Sequence, residues 1–145
     1  MNVVVLAAGK GKRMHSSLPK VLQALAGRPL LDHVLDATAG LADHPRVVVI
    51  GHAADIVRKP YEGRTDIVFV LQQEQLGTGH ALMQALAAIN PEDPLTLVCL
   101  GDVPLLSPKT LMAMAEAGAD GSLVLLTVEL SDPTGYGRIV RNASG

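Results

Sequence analysis

Five short apolar runs constrain the fold of this chain more than any other feature of its sequence. They occupy residues 3–6, 47–50, 67–71, 95–100 and 123–128. The runs are close to continuous, whereas a strand with one face in water alternates apolar and polar residues. We therefore expect strands that are buried on both faces, which is typical of a mostly parallel sheet.

Segments with helical spacing separate these runs and predict helices that cover the sheet. The apolar stripes consist of Leu31, Val34, Leu35 and Thr38 in one segment, and of Ala81, Leu82, Ala85, Leu86 and Ile89 in another. Ser107 and Pro108 suit the cap and the first position of a further helix, expected to run to about Ala117. The alternation predicts a three-layer α/β/α, Rossmann-like fold with right-handed crossovers.

Ligands of such sheets bind at the carboxyl ends of the strands, which directs attention to three segments. These are residues 9–13 after the first run, residues 72–78 after the third, and Gly101 with Asp102 after the fourth. All three end a predicted strand with glycine or polar residues. We expect them to meet at one edge of the sheet.

Length and composition favour one compact domain without the excess positive charge of a protein that binds nucleic acid. The chain has 145 residues, 48% of them hydrophobic, and a net charge of −2. This balance gives no reason to expect nucleic acid or anionic lipid as partners, and no apolar run approaches the roughly 20 residues that span a membrane. The single cysteine, Cys99, lies in an apolar run and fits a buried thiol in a reducing cytoplasm.

The loop after the first run has the composition of a phosphate-binding turn. Gly9 and Gly11 allow backbone N–H groups to approach a polyphosphate, and Arg13 adds positive charge. The loop matches neither the Walker A motif nor the dinucleotide fingerprint, which has a third glycine where Met14 stands. A tight turn with solvated lysines explains the loop equally well. Pro19 then places Lys20 on a stiff segment where it can meet a phosphate.

Four blocks of the sequence resemble the sugar nucleotidyltransferases. The first is Leu-Ala-Ala-Gly-x-Gly-x-Arg-Met over residues 6–14 with Leu-Pro-Lys-Val-Leu over residues 18–22; the others cover residues 72–81, 101–105 and 132–139. The chain is most similar to the uridylyltransferase domain of the bacterial bifunctional N-acetylglucosamine-1-phosphate uridylyltransferase / glucosamine-1-phosphate acetyltransferase. Lys12 departs from the threonine common in that family.

The resemblance implies a role for each matching residue. Leu6, Ala7, Ala8 and Gly9 would hold the nucleotide through backbone groups, and Arg13 and Lys20 would act catalytically by binding phosphates. Gln72, Gly77, Thr78, Leu100, Gly101 and Gly137 would complete the substrate site, with Gly137 against the sugar. Asp102 would bind Mg²⁺, which on nucleotides takes one or two carboxylates.

Alternative interpretations remain open at several of these positions. Gln72 has a donor and an acceptor suited to uracil, but could be a solvated residue at a strand end. Thr78 is expected to cap a helix as well as to contact nucleotide. Asp102 could instead close a turn with its own backbone, and Gly137 could serve only the conformation of its loop. The five histidines lack metal-ligand spacing, and His33 and His80 are interpreted as helix-surface or core residues.

The implied reaction joins UTP to N-acetylglucosamine 1-phosphate and releases pyrophosphate, with Mg²⁺ as cofactor. We expect residues 1–145 to be the amino-terminal portion of the nucleotidyltransferase domain, cut short after a strand at residues 137–141. Neither the family's β-helix acetyltransferase domain nor its trimer is expected from this chain. A related enzyme with another base or sugar, or a non-catalytic nucleotide-binding fragment, is the alternative.

Overall fold

The computed structural model describes residues 1–9, 11, 14 and 16–142. Its strands are β1 (Asn2–Leu6), β2 (Ala24–Leu25), β3 (Arg28–Pro29), β4 (Arg46–Ile50), β5 (Ile67–Leu71) and β6 (Thr96–Leu100). Its α-helices are α1 (Leu30–Thr38), α2 (Ala54–Arg58), α3 (Thr78–Ala85) and α4 (Pro108–Ala117). Short 3-10 turns cover Lys20–Leu22 and Lys59–Tyr61. Arg13, predicted to bind phosphate, lies outside the described residues.

Four of the five apolar runs form one parallel sheet, as predicted. The strand order is β5-β4-β1-β6, and each neighbouring pair is parallel. Val4 and Val5 in β1 stand beside Val47 and Val48 in β4 on one side, and beside Val98 and Cys99 in β6 on the other. β2 and β3 form a separate antiparallel pair. The chain is thus an α/β protein with β1 at the centre of its sheet.

Helices pack on both faces of the sheet and make the three predicted layers. On one face, Leu31 and Leu35 of α1 and Leu111 of α4 join a core with Val5 and Val48. On the other face, Ala81 and Ala85 of α3 pack with the alternate strand residues, such as Val4, Val47 and Val49. Because β1 and β4 lie under helices on both faces, their residues are almost wholly buried.

The prediction of burial on both faces is wrong for the two edge strands. In β6, Leu97 and Cys99 are buried whereas Thr96, Val98 and Leu100 are exposed, and in β5 only Ile67 is buried. α3 packs over β1, β4 and β5 and does not cover the alternate residues of β6. Continuous apolar sequence therefore identified these strands correctly but overstated how completely they are covered.

Two further strands expected from the sequence do not form. Residues 123–128 and 137–141 follow α4 in irregular conformation, and Leu123 and Val128 are 88% and 73% exposed. A strand is stabilised by pairing with a neighbour. Residues 123–126 instead face β6 across a cavity of about 760 Å³ that both segments line. They remain outside the sheet, whose strand order is β5-β4-β1-β6.

The helix predictions are mostly confirmed. α4 begins at Pro108, and Ser107 caps it by accepting a hydrogen bond of 3.1 Å from the Thr110 N–H. The stripe of α1 is buried as expected. The stripe of α3 is shorter than expected, because the helix ends at Ala85 and Leu86 is 58% exposed. Within the described ranges, every helix is too short or too polar to span a bilayer.

Candidate functional site

The carboxyl edge of the sheet brings together most of the predicted site residues. The parallel ladders continue one residue past the strands: Ala7 N–H donates to Val49 O (2.8 Å), Gln72 N–H to Ile50 O (2.7 Å) and Gly101 N–H to Leu6 O (2.9 Å). Leu6 through Gly9, Leu100 through Asp102, and Gln72 therefore lie along one edge. Since β5 and β6 are three strand spacings apart, the two ends of this edge are separated by about 14 Å.

Lys20 is fixed beside this edge by the residues around it. It begins the 3-10 turn Lys20–Leu22, whose Val21 and Leu22 are buried in the core. Its side chain also packs closely against Gly11, since a Cβ built on Gly11 would lie 2.9 Å from Lys20 Cβ. The glycine loop predicted to bind phosphate and the predicted phosphate-binding lysine are thus held in contact.

The charged end of Lys20 reaches across to Asp102. Lys20 Nζ lies 2.5 Å from Asp102 Oδ2, and the two side chains are 39% and 30% exposed. Asp102 follows β6 through Gly101, so the ion pair joins the end of β6 to the segment after β1. The residue predicted to bind phosphate and the residue predicted to bind metal are therefore in direct contact.

Asp102 is better suited to bind a metal that is already held by a phosphate ligand than to bind a free metal ion. No group of three or more His, Cys, Asp or Glu side chains within the described ranges is arranged to hold a metal. Mg²⁺ bound to a nucleotide requires only one or two carboxylates, because phosphate oxygens and water complete its shell. One partly exposed carboxylate beside a lysine matches that donor set.

Gln72 lies at the far end of the edge and is buried, with 2% of its surface exposed. Its Nε2 donates to Gly77 O at 3.2 Å and lies 2.9 Å from His80 Nδ1. The interpretation of Gln72 as a solvated strand-end residue is therefore wrong. Its amide is held in a defined orientation at the carboxyl edge of the sheet.

Gly77 occupies the N-cap position of α3 in a backbone conformation suited to glycine, with φ 104° and ψ 178°. The prediction that Thr78 caps this helix is wrong. Thr78 is the first helical residue, and no side chain caps the helix start. Since Gly77 already sits at the N-cap, Thr78 is one position too late to accept from the first turn. Its exposed side chain remains at the edge of the site.

Among the predicted site residues that the structure describes, Gly137 is the one that follows α4. It lies in the exposed, irregular segment that follows α4. Among the described residues, no hydrogen bond or ion pair connects it with Lys20, Asp102 or Gln72. Its positive-φ neighbour is Gly135, with φ 83°.

Sequence reasoning missed two residues that organise the Gln72 end. His80 is half-buried on α3 and contacts the Gln72 amide, whereas the sequence suggested only a surface or core residue. Gln75 Nε2 donates to Gln72 O and Gln73 O, both at 3.1 Å, and folds this loop onto itself. Both residues lie inside the block of residues 72–81, and that position was the sequence signal by which they could have been found.

Comparison with known proteins identifies the relatives of this chain. Residues 3–139 match the family model described as the MobA-like NTP transferase domain. All 145 residues are 55% identical to the bifunctional protein GlmU of Cupriavidus metallidurans and 56% identical to that of Burkholderia thailandensis. The chain spans about a third, 32%, of the length of each of these relatives.

Solved structures, one of them a nucleotidyl transferase, have a similar fold. A nucleotidyl transferase from Methanothermobacter thermautotroptrophicus superposes with a TM-score of 0.70 at 28% identity, over 79% of this chain and 56% of that one. Rv0371c of Mycobacterium tuberculosis in complex with manganese gives a TM-score of 0.68 at 27% identity, over 82% of this chain and 59% of that one. Because residues 3–139, nearly the whole chain, match the family model, the chain belongs to the MobA-like NTP transferase domain family.

Proposed function

We propose that this chain carries the UTP and Mg²⁺ part of a site that transfers UMP from UTP to N-acetylglucosamine 1-phosphate. The products are UDP-N-acetylglucosamine, a cell-wall precursor, and pyrophosphate. The observation that carries the proposal is one sheet edge with a buried amide at one end and the Lys20–Asp102 pair at the other. The edge suits an elongated ligand with a base and a polyphosphate.

The base and sugar of the substrate are inferred from sequence similarity together with chemistry. The blocks that resemble uridylyltransferases include Gln72, whose amide can pair with uracil. The identity of 55% to the Cupriavidus metallidurans protein covers every residue of this chain. Since that relative is about three times longer, residues 1–145 are proposed as the amino-terminal portion of a cytoplasmic nucleotidyltransferase domain. Gly137 is proposed to meet the sugar.

The proposed nucleophile needs no base from the protein. A phosphate monoester has a second pKa near ~6, so the sugar phosphate is largely ionised at neutral pH. The protein has to align this oxygen with the α-phosphorus and neutralise the charge that builds on the phosphates. Lys20 would bind the phosphates, with Arg13 as a second proposed cation. A metal held by Asp102 would supply further positive charge.

Lys20 would change partners when the nucleotide binds. In the structure its ammonium neutralises Asp102. A triphosphate presents several negative oxygens, to which the Lys20 ammonium would donate. Asp102, released from the ion pair, would then hold the metal that accompanies the nucleotide. The ion pair keeps two charges satisfied at a half-exposed site until the ligand takes over both.

The proposal is tested by measuring nucleotide binding to the chain by calorimetry in Mg²⁺. UTP should bind more tightly than CTP, dTTP or GTP, and removal of Mg²⁺ with chelator should weaken binding of UTP. Pyrophosphate release with N-acetylglucosamine 1-phosphate is expected to be weak for residues 1–145 and strong when the chain is extended to the length of its relatives. Preference for CTP or dTTP would contradict the uridylyl assignment. UTP binding without turnover in the extended chain would indicate a nucleotide-binding module.

A further inference from the structure

Gln72 and His80 share a hydrogen bond that fixes which end of the Gln72 amide faces Gly77 and His80. Gln72 Nε2 lies 3.2 Å from Gly77 O and 2.9 Å from His80 Nδ1. A backbone carbonyl can only accept, so the amide atom facing Gly77 must be the NH₂ group. Its second hydrogen then points to Nδ1, which therefore accepts.

The shorter of two amide contacts assigns the protonated nitrogen of the His80 ring. If Nδ1 accepts, the ring is neutral and carries its proton on Nε2. Gln84 Nε2, one turn further along α3, lies 3.3 Å from that second nitrogen and 3.4 Å from His80 O, so its NH₂ group would also call for an acceptor. The contact from Gln72 to Nδ1 is the shorter one, at 2.9 Å, and Nδ1 is therefore assigned as the acceptor. His80 is half-buried between two glutamines, and Gln72 itself is 2% exposed. The imidazole thus contacts the Gln72 amide directly.

We propose that His80 is a positioning residue that favours uracil over cytosine by holding the Gln72 carbonyl toward the base. The proposal rests on the proposed function, in which Gln72 faces the base of UTP. Both N–H groups of Gln72 are engaged by Gly77 and His80, and the two bonds leave Oε1 to meet a ligand. A carbonyl oxygen accepts from the N3–H of uracil. Cytosine has a lone pair at N3 instead of an N–H group, so the Gln72 carbonyl oxygen would face a second acceptor there.

Without His80 the Gln72 amide would lose this bias. Gly77 O would remain as a partner, but its bond from Gln72 Nε2 is longer, at 3.2 Å, than the bond to His80. Gly77 O also accepts from the Ala81 N–H at 3.1 Å. The amide could then turn and present its NH₂ group, which suits the N3 of cytosine. His80 would therefore act on selectivity between bases and not on phosphate binding.

The test compares UTP and CTP affinities, measured by calorimetry with Mg²⁺, in the chain and in three variants. His80→Ala should lower the ratio of UTP to CTP affinity about tenfold, the size of one hydrogen bond. His80→Asn, which restores an acceptor near Nδ1, should keep most of the ratio. Met83→Ala changes a residue of α3 that is 64% exposed and should leave the ratio unchanged.

Two results would overturn the inference while leaving the proposed function intact. One is a wild-type UTP preference that survives His80→Ala. The other is a loss of preference that is equal in His80→Asn and His80→Ala. A wild-type chain with no UTP preference would overturn both the inference and the uridylyl assignment.

A measurement on the unmodified chain keeps the inference testable if the variants do not fold. NMR should detect a scalar coupling across the N–H···N bond from Gln72 Nε2 to His80 Nδ1. The same spectra should show the His80 ring protonated on Nε2. A ring protonated on Nδ1 would overturn the inference, since that nitrogen could no longer accept.

Discussion

Lys20 Nζ and Asp102 Oδ2 lie 2.5 Å apart and join two segments that are 82 positions apart in the sequence. One segment is anchored by the buried Val21 and Leu22, and the other continues directly from β6. The pair therefore has a fixed position at the carboxyl edge of the sheet. It brings the predicted phosphate ligand and the predicted metal ligand into direct contact.

Replacement of Lys20 should separate metal binding from nucleotide binding. In Lys20→Gln, Asp102 loses its cationic partner, so Mn²⁺ alone should bind more tightly than to the wild-type chain. UTP should bind at least tenfold more weakly, since a charge-assisted contact to phosphate is lost. Electron paramagnetic resonance measures free Mn²⁺, and calorimetry measures UTP. Parallel changes in both affinities would contradict the exchange of partners proposed for Lys20.

The backbone conformation of Gly77 should make it intolerant of a side chain. Gly77→Ala places a Cβ at φ 104° and ψ 178°, and should lower the free energy of unfolding by roughly 1–3 kcal/mol. Gly79→Ala is the matched control, because Gly79 lies inside α3 with open space around its Cβ position. That change should stabilise the chain by about 0.5–1 kcal/mol. Denaturant titrations of both variants measure the difference, and equal effects would contradict this account.

The labelling rate of the Cys99 thiol should show whether solvent reaches β6 from the cavity beside it. It is 3% exposed, and burial raises the pKa of its thiol to about 11. At pH 8 the thiol should therefore react with iodoacetamide far more slowly in the native chain than in denaturant. Mass spectrometry follows the single adduct. Native labelling at the rate of a free thiol would show that the cavity opens readily.

Asp66 should make the chain less stable in acid. A hydrogen bond from Arg64, with Arg46 nearby, lowers the pKa of Asp66 to about 2 from an ordinary value of 3.8. Because the folded state holds the carboxylate form, its stabilisation is complete above the unfolded pKa. It is lost as the pH falls from about 4 through 2. Thermal melts across this range should show a decline that is smaller in Asp66→Asn; an identical decline would contradict the assignment.

The sequence predicted the central strands well because their continuous apolar residues match burial on both faces. β1 and β4 are apolar throughout and are covered on both faces. Residues 123–128 have a similar composition but remain irregular, and residues 123–126 line the cavity beside β6. A strand also needs a neighbour to pair with. Local composition cannot express that requirement.

The site was predictable where a residue directly follows a strand, and less so where side chains pair. Asp102 and Gln72 lie at the sheet edge because β6 and β5 end just before them. The contact from Gln72 to His80 depends on how α3 packs on the sheet, which no spacing in the sequence specifies. The ion pair from Lys20 to Asp102 likewise arises from tertiary packing.

The most direct test of the central claim locates a metal nucleotide on the chain. UTP with Mn²⁺ is added to the ¹⁵N-labelled chain, and paramagnetic broadening is compared with the Mg²⁺ complex. We expect broadening centred on Gly101, Asp102 and Lys20, a shift of the Gln72 side-chain amide, and loss of the broadening in Asp102→Asn. That variant should fold normally, since a half-exposed ion pair contributes about 1 kcal/mol or less. Broadening elsewhere, or unchanged broadening in Asp102→Asn, would contradict the claim that this edge binds UTP and its metal.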